Sequence, residues 1–203
     1  MDERFPKWLR IAVHKLNFLG IMNLGPLIAG LMILAFIARM TGAPYERFLF
    51  DPALVLEGEW WRIFAFPIPQ GVENPLFFVL FVYFAYFIFS AVEEQWGPGP
   101  TTVFTLLSYL SALAASFVTG EPLSIWFYIL QTMGLVFGTL FPNFEILFMF
   151  VLPVKAKWLA LIDAGFIMVR LLTGGASTQI IIVITLVPYF LFFGPMLVHY
   201  LKM

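Results

Sequence analysis

The chain alternates between long apolar runs and short polar junctions, and the length of the runs leads to the first prediction. A helix needs roughly 20 mostly apolar residues to cross about 30 Å of hydrocarbon. Glycine and proline mark nearly every junction between the runs, as expected where helices end. The pattern predicts six transmembrane helices: Phe18 to Ile37, Pro75 to Ala91, Thr101 to Val118, Leu123 to Phe141, Lys157 to Leu172 and Gln179 to Val198.

Two further stretches do not fit a simple up-and-down arrangement. The first loop, from Thr41 to Asn74, contains Trp60, Trp61 and Phe64, more aromatic character than a solvated loop carries. Because tryptophan is favoured at the membrane surface, this long loop is predicted to lie partly in the membrane interface. The apolar run from Phe144 to Pro153 is too short to span, and we expect it to skim the membrane.

Composition agrees with a membrane protein. Of 203 residues, 62% are hydrophobic and 11% are charged, whereas a soluble domain has about 45–50% apolar and about 25% charged residues. The excess of apolar residues predicts contact with membrane lipids, and no repeat or linker divides the chain, so residues 1–203 are predicted to form one domain. The net charge of −1 gives no indication of nucleic-acid binding. With no cysteine, disulfides and thiolate metal sites are excluded.

The basic residues predict the orientation, because lysine and arginine favour the cytoplasmic side of a membrane. Both termini are predicted to be cytoplasmic, as an even number of spans requires. The basic residues then fall on the cytoplasmic side (Arg4, Lys7, Arg10, Lys15, Lys155, Lys157, Lys202) or on the opposite side (Arg39, Arg47, Arg62, Arg170).

Polar residues inside the predicted spans are candidate sites, because burying them in lipid is costly. Asp163 and Arg170 lie in the fifth span, about 10 Å apart by helix rise, too far for a direct ion pair. One hypothesis is a proton or ion relay through Asp163. The alternative is an aspartate hydrogen-bonded across helices and an arginine that extends to the membrane surface.

Gln131 and Thr132 lie in the fourth span beside Gly134 and Gly138. Two glycines four residues apart allow a second helix to approach closely. Close packing is therefore the favoured interpretation of this segment, and a binding pocket is the alternative.

The sequence offers no constellation for catalysis or metal binding. His14 and His199 lie at predicted helix ends, without carboxylates at metal-ligand spacing. A nucleophilic serine needs a base within hydrogen-bond distance, and no histidine lies at the depth of the serines in the second and third spans. These serines are Ser90, Ser108, Ser111 and Ser116. No cofactor and no metal are predicted.

Several local patterns, taken in order, resemble the rhomboid and derlin superfamily. The tetrapeptide Glu59-Trp60-Trp61-Arg62 resembles the tryptophan–arginine element of the first loop, and Glu94-Gln95-Trp96-Gly97 resembles the end of the rhomboid second helix. Phe141-Pro142-Asn143 and then Leu152 to Leu159 resemble the stretch between the fourth and fifth helices of bacterial rhomboid-like proteins. The resemblance covers about Leu56 to Leu161 and implies a six-helix rhomboid-like fold, here all-α, in a bacterial inner membrane.

The chain departs from the rhomboid proteases where their chemistry takes place. Those proteases carry Gly-x-Ser-Gly at the start of the fourth helix, whereas the nearby serine here, Ser124, lacks flanking glycines. The sixth span contains no histidine, and His199 would lie about 30 Å from Ser124, across the membrane. General-base catalysis needs a separation of about 3 Å, so the resemblance is to a pseudoprotease without enzymatic activity.

The resemblance implies a binding function, since rhomboid-like proteins admit client helices laterally between their second and fifth helices. The candidate residues for contact with transmembrane clients or for local thinning of the bilayer are Trp60, Trp61, Arg62, Tyr83, Glu94 and Trp96. Alternatively, Arg62 anchors the loop to backbone carbonyls and the tryptophans mark the interface. Three other hypotheses remain: an atypical intramembrane serine protease using Ser124, a small transporter using Asp163, and a structural membrane protein.

Overall fold

The computed structural model describes residues 20–42, 49–64, 74–148 and 152–201, together with Lys15 and Phe18; for 147, 148, 152 and 195–201 it describes the backbone alone. Most of these residues are helical. The described elements are, in chain order, α1 (Leu24–Met40), α2 (Pro52–Leu56), a 3₁₀ helix (Trp60–Phe64), α3 (Pro75–Trp96), α4 (Pro98–Thr119), α5 (Ile125–Leu140), β1 (Glu145–Phe148), β2 (Leu152–Lys155), α6 (Ala156–Thr173) and α7 (Ala176–Leu201).

Each of the six predicted runs overlaps one long helix, α1 or one of α3 to α7. Among the described residues, α3, α4 and the Ala176–Gly194 part of α7 are long and apolar enough to cross a membrane. The apolar helices α1 and α5 are shorter, with 17 and 16 residues, and α6 carries three charged residues in 18. The chain is therefore a mostly helical protein with helices suited to a membrane. The predicted start of the first run, before residue 20, lies largely outside the described residues.

Proline and polar caps set where several helices begin. Pro75 and Pro98 occupy first-turn positions, where a missing N–H costs nothing because it would have no partner in the helix. The Asn74 side chain accepts a hydrogen bond from the Leu76 N–H at 2.8 Å. At Gly97, φ is +87°, a conformation that favours glycine, and this residue joins α3 directly to α4.

Helix α3 continues beyond Ala91, where the second predicted apolar run ends, to Trp96. The reason is that Glu93 faces another helix instead of water. Its two carboxylate oxygens accept hydrogen bonds from the Asn23 and Leu24 N–H groups, each at 2.8 Å, and so cap the N-terminus of α1. Nearby, a side chain at Gly25 would collide with Ser90, so α1 and α3 approach closely here.

The core lies around α4, which packs against α3, α5 and α7. At one end of the bundle, Trp96 stacks on Phe192 and Phe193, with ring centroids 5.5 and 5.8 Å away. Phe104 meets both Trp96 and Phe192 edge-on, at 5.9 and 5.2 Å. These four rings, the aromatic cluster, are 5% exposed or less and join α3, α4 and α7.

The first loop lies against the helices instead of above them. The Tyr109 hydroxyl donates a hydrogen bond to the Ile63 carbonyl, and Tyr109 is ten residues before the end of α4, a helix rise of about 15 Å. Phe50 pairs with Leu123 in an isolated antiparallel bridge. Residues 43–48 and 65–73 of the predicted interfacial loop lie outside the described residues.

The prediction of an all-α fold is wrong at the segment following α5. Residues of the apolar run from 144 to 153 form an antiparallel hairpin, in which Glu145 pairs with Lys155 and Phe148 with Leu152. The run is too short for a span, and the strands satisfy each other's backbone groups. The hairpin leads directly into α6, which begins at Ala156.

Candidate functional site

A cavity of about 300 Å³ lies between α3, α5 and α6, and Ile146 of the hairpin also lines it. Helix α5 packs against both α3 and α6, whereas α3 and α6 form no extended contact among the described residues. The wall is apolar apart from one polar pair. Its main lining residues are Phe81, Phe84 and Ile88 of α3, Leu130, Gln131, Gly134 and Phe137 of α5, Ile146 of β1, and Leu159, Ala160 and Asp163 of α6.

Two glycines on α5 determine the shape of the cavity. At Gly138 a Cβ atom would lie 2.3 Å from the Ala160 Cβ and 3.2 Å from the Ala156 carbonyl oxygen, so α5 and α6 are in close contact there. At Gly134, one turn earlier, a Cβ atom would meet nothing within 4 Å, and this residue faces the cavity. The predicted close packing is confirmed at Gly138 and wrong at Gly134, where the pocket interpretation applies.

The polar pair is formed by Gln131 and Asp163. The Gln131 Nε2 donates a hydrogen bond of 2.9 Å to the Asp163 Oδ1, across the gap between α5 and α6. No described residue donates a hydrogen bond to the other carboxylate oxygen of Asp163. A carboxylate in apolar surroundings is costly unless it is well paired. The pair therefore combines a polar link between helices with an acceptor that remains available.

Arg170 lies apart from Asp163, and the expectation that the two do not form a direct ion pair is confirmed. The Arg170 guanidinium lies 3.4 Å from the Tyr128 hydroxyl and 5.9 Å from the centroid of the Phe127 ring. These contacts hold the arginine, half-buried, beside the first turn of α5. Asp163 has its own partner on α5, as the hydrogen-bonding alternative predicted.

The candidate residues of the first loop differ in how far they are exposed. Trp60 and Trp61 are 64% and 62% exposed, as a membrane-facing role requires. Arg62 is buried, pairs with the Glu59 carboxylate and donates a hydrogen bond of 3.0 Å to the Leu49 carbonyl. The structure thus contradicts a client-contact role for Arg62 and agrees with the alternative in which it anchors the loop.

The candidates on α3 are also divided. Tyr83 is exposed on the outer face of α3, and Glu94 is exposed near its end. Trp96 is buried in the aromatic cluster by Phe192 and Phe193. Direct contact between Trp96 and a client is therefore contradicted, because its indole ring is covered by the chain itself.

The residues considered for catalysis are described in part. Ser124 is the N-cap residue of α5, while the side chains of His14 and His199 lie outside the described residues. The buried Ser108 Oγ lies 3.5 Å from the Thr132 Oγ1, between α4 and α5. The described residues contain no group of three histidine, aspartate or glutamate side chains able to hold a metal ion.

The sequence singled out the aromatic run from Phe77 to Phe89 as a candidate for client contact, and this run contains the α3 wall of the cavity; it did not predict the cavity itself or the hairpin. The apolar face of α3 looks the same in sequence whether it meets lipid, protein or a void. The pairing of Gln131 with Asp163 could have been anticipated, because both are polar residues within apolar runs and these runs form consecutive predicted helices. Comparisons of the chain with protein-family models, with curated proteins and with solved structures found no match.

Proposed function

We propose that the chain is a rhomboid-like pseudoprotease that spans the membrane six times and binds the transmembrane helices of client proteins without cleaving them. The observation that carries the proposal is the cavity between α3 and α6, the second and fifth predicted spans. The resemblance in sequence implies client entry between these two helices.

The outer surface of α6 supports this proposal. Within α6 only Ala156 and Ile167 are buried. Phe166, seven residues after the cavity-lining Leu159 and therefore on the same side of the helix, is exposed. On the other side of the cavity, Phe84 of α3 lines the cavity and is exposed. A client helix lying over the cavity would contact both exposed faces, and van der Waals packing is the main driving force for such association in lipid.

The distribution of basic residues favours cytoplasmic termini, and the resemblance to bacterial rhomboid-like proteins favours the bacterial inner membrane. In this orientation Trp60 and Trp61 lie at the outer surface, where tryptophan is favoured. Their exposure suits contact with lipid headgroups and local disturbance of the bilayer.

Site-specific photo-crosslinking tests the proposal. A photoreactive residue at Phe166, which is exposed beside the cavity, should capture a recurring set of membrane proteins with a single span when the full chain is expressed in bacterial membranes. Gly134→Leu, which fills the cavity from α5, should reduce that capture. Gly30→Leu is the matched control, because Gly30 is exposed on α1 and a Cβ atom there would meet nothing within 4 Å. Capture of lipid alone, or equal effects of both substitutions, would contradict client binding at the cavity.

A second candidate function, transport of a small molecule or ion, is favoured by one observation: the Asp163 carboxylate lines the cavity. A proteoliposome uptake assay tests this alternative. Uptake that Asp163→Asn leaves unchanged would argue against transport. Many transporters are built from two similar halves, and the sequence shows no such internal repeat.

A further inference from the structure

The cavity has an apolar wall with hydrogen-bond acceptors at one place. Asp163 Oδ1 accepts from Gln131 Nε2 at 2.9 Å, and both residues line the cavity. Among the described residues, none donates to the second Asp163 oxygen or to the Gln131 side-chain oxygen. Two acceptors, one of them part of a carboxylate, therefore remain available to an occupant that donates hydrogen bonds and carries positive charge.

The size and position of the cavity indicate what can enter. The cavity has about 300 Å³ and lies between two helices, α3 and α6, that form no extended contact among the described residues. A single long side chain from a helix lying over α3 and α6 can enter it.

We propose that this protein selects client helices that carry one lysine or arginine near the middle of the membrane. The basic side chain enters the cavity and places its charged group on Asp163 and Gln131. This inference rests on the proposed function and specifies its client. The apolar wall, including Phe84, Leu130 and Leu159, receives the aliphatic stem of such a side chain.

The other charged groups on α6 restrict the depth at which this recognition works. Arg170 lies seven residues beyond Asp163, about 10 Å along the helix, where Tyr128 and Phe127 hold it. Lys157 lies six residues before Asp163 and faces the Trp158 ring at 5.7 Å. A client cation at either of those depths would meet a like charge. The preference is therefore confined to the depth of Asp163.

A peptide-binding experiment tests the inference. The full-length protein, with a photoreactive residue at Phe166, is reconstituted in phosphatidylcholine vesicles with single-span leucine–alanine peptides. One peptide has leucine at its midpoint, and a second has lysine there. We expect the lysine peptide to bind about tenfold or more tightly, since losing one partner of a desolvated charge pair has effects of this size. Asp163→Asn should remove that preference.

Glu57→Gln is the matched control, because Glu57 is exposed in the first loop and its substitution removes one carboxylate far from the cavity. It should leave the preference for lysine intact. If Asp163→Asn fails to fold, the wild-type protein provides the second test. Moving the lysine two turns along the peptide, to the depth of Arg170, should abolish the preference.

The outcomes separate the inference from the function on which it rests. Equal binding of the leucine and lysine peptides would overturn the charge selectivity and leave client binding standing. A preference for lysine that persists in Asp163→Asn, or that does not depend on depth, would also overturn the inference. Capture of neither peptide would count against both the inference and the proposed function.

Discussion

The two sides of the helix bundle are packed in different ways. Where α4 meets α3 and α7, the aromatic cluster of Trp96, Phe104, Phe192 and Phe193 fills the space between helices. Between α3 and α6, the helices stay apart around a cavity of about 300 Å³. Helices in lipid associate mainly through close packing, so an open space gives up stabilising contacts. The difference indicates that the aromatic side maintains the fold, while the open side is free to serve a function.

The largest effect is expected from emptying the aromatic side. Trp96→Ala removes the ring that joins three helices. It should lower the free energy of unfolding by about 3 kcal/mol, at the lower end for buried tryptophan because lipid, not water, surrounds the separated helices. Unfolding of the purified protein in mixed detergent micelles, followed by circular dichroism, measures this loss.

The control for this prediction is Trp60→Ala, since Trp60 is 64% exposed. It should change the free energy of unfolding by about 0.5 kcal/mol or less, as is usual for surface positions. Similar losses for the two tryptophans would mean that the aromatic cluster does not have the special stabilising role assigned to it.

A smaller loss is expected where the open side closes. Gly138→Ala places a methyl group 2.3 Å from the Ala160 Cβ, which forces α5 and α6 apart. Overpacking of this kind costs about 2 kcal/mol. The same unfolding assay measures it, and the double variant Gly138→Ala/Ala160→Gly should recover part of the loss. A neutral Gly138→Ala would contradict the close contact between α5 and α6.

The next effect concerns the link between α1 and α3. Glu93→Gln leaves one carbonyl oxygen in place of the two that accept the Asn23 and Leu24 N–H groups. The expected loss is about 1 kcal/mol, from the weaker cap and the lost charge at a helix N-terminus. Glu94→Gln, at the exposed neighbour, should change the unfolding free energy far less. Equal effects would show that the cap contributes nothing specific.

These residues also show which features of the fold follow from sequence. The positions of the six long helices could be predicted because apolar runs and their glycine and proline junctions are local signals. The turn of Glu93 toward α1 could not, since a carboxylate at a helix end usually indicates solvent. The same holds for the hairpin after α5, because a short apolar run has no periodicity that separates strand from helix.

The candidate site was predictable in its polar parts alone. Gln131 and Asp163 are conspicuous because polar residues are rare in apolar runs. The cavity depends on where helices do not meet, and no local pattern records that. Gly134 and Gly138 have the same residue type and the same helical setting, yet one faces open space and the other faces Ala160. That distinction requires the tertiary structure.

The smallest effect should have the opposite sign and come from the open side. Gly134→Ala adds a methyl group that meets no atom within 4 Å, and alanine in a helix interior is favoured over glycine by about 0.5–1 kcal/mol. The variant should therefore unfold at a slightly higher denaturant concentration than the wild type, whereas Gly138→Ala unfolds earlier. If both glycine variants were destabilised alike, the space beside Gly134 would be occupied by protein, and the contrast between a packed turn and an open turn of α5 would fail.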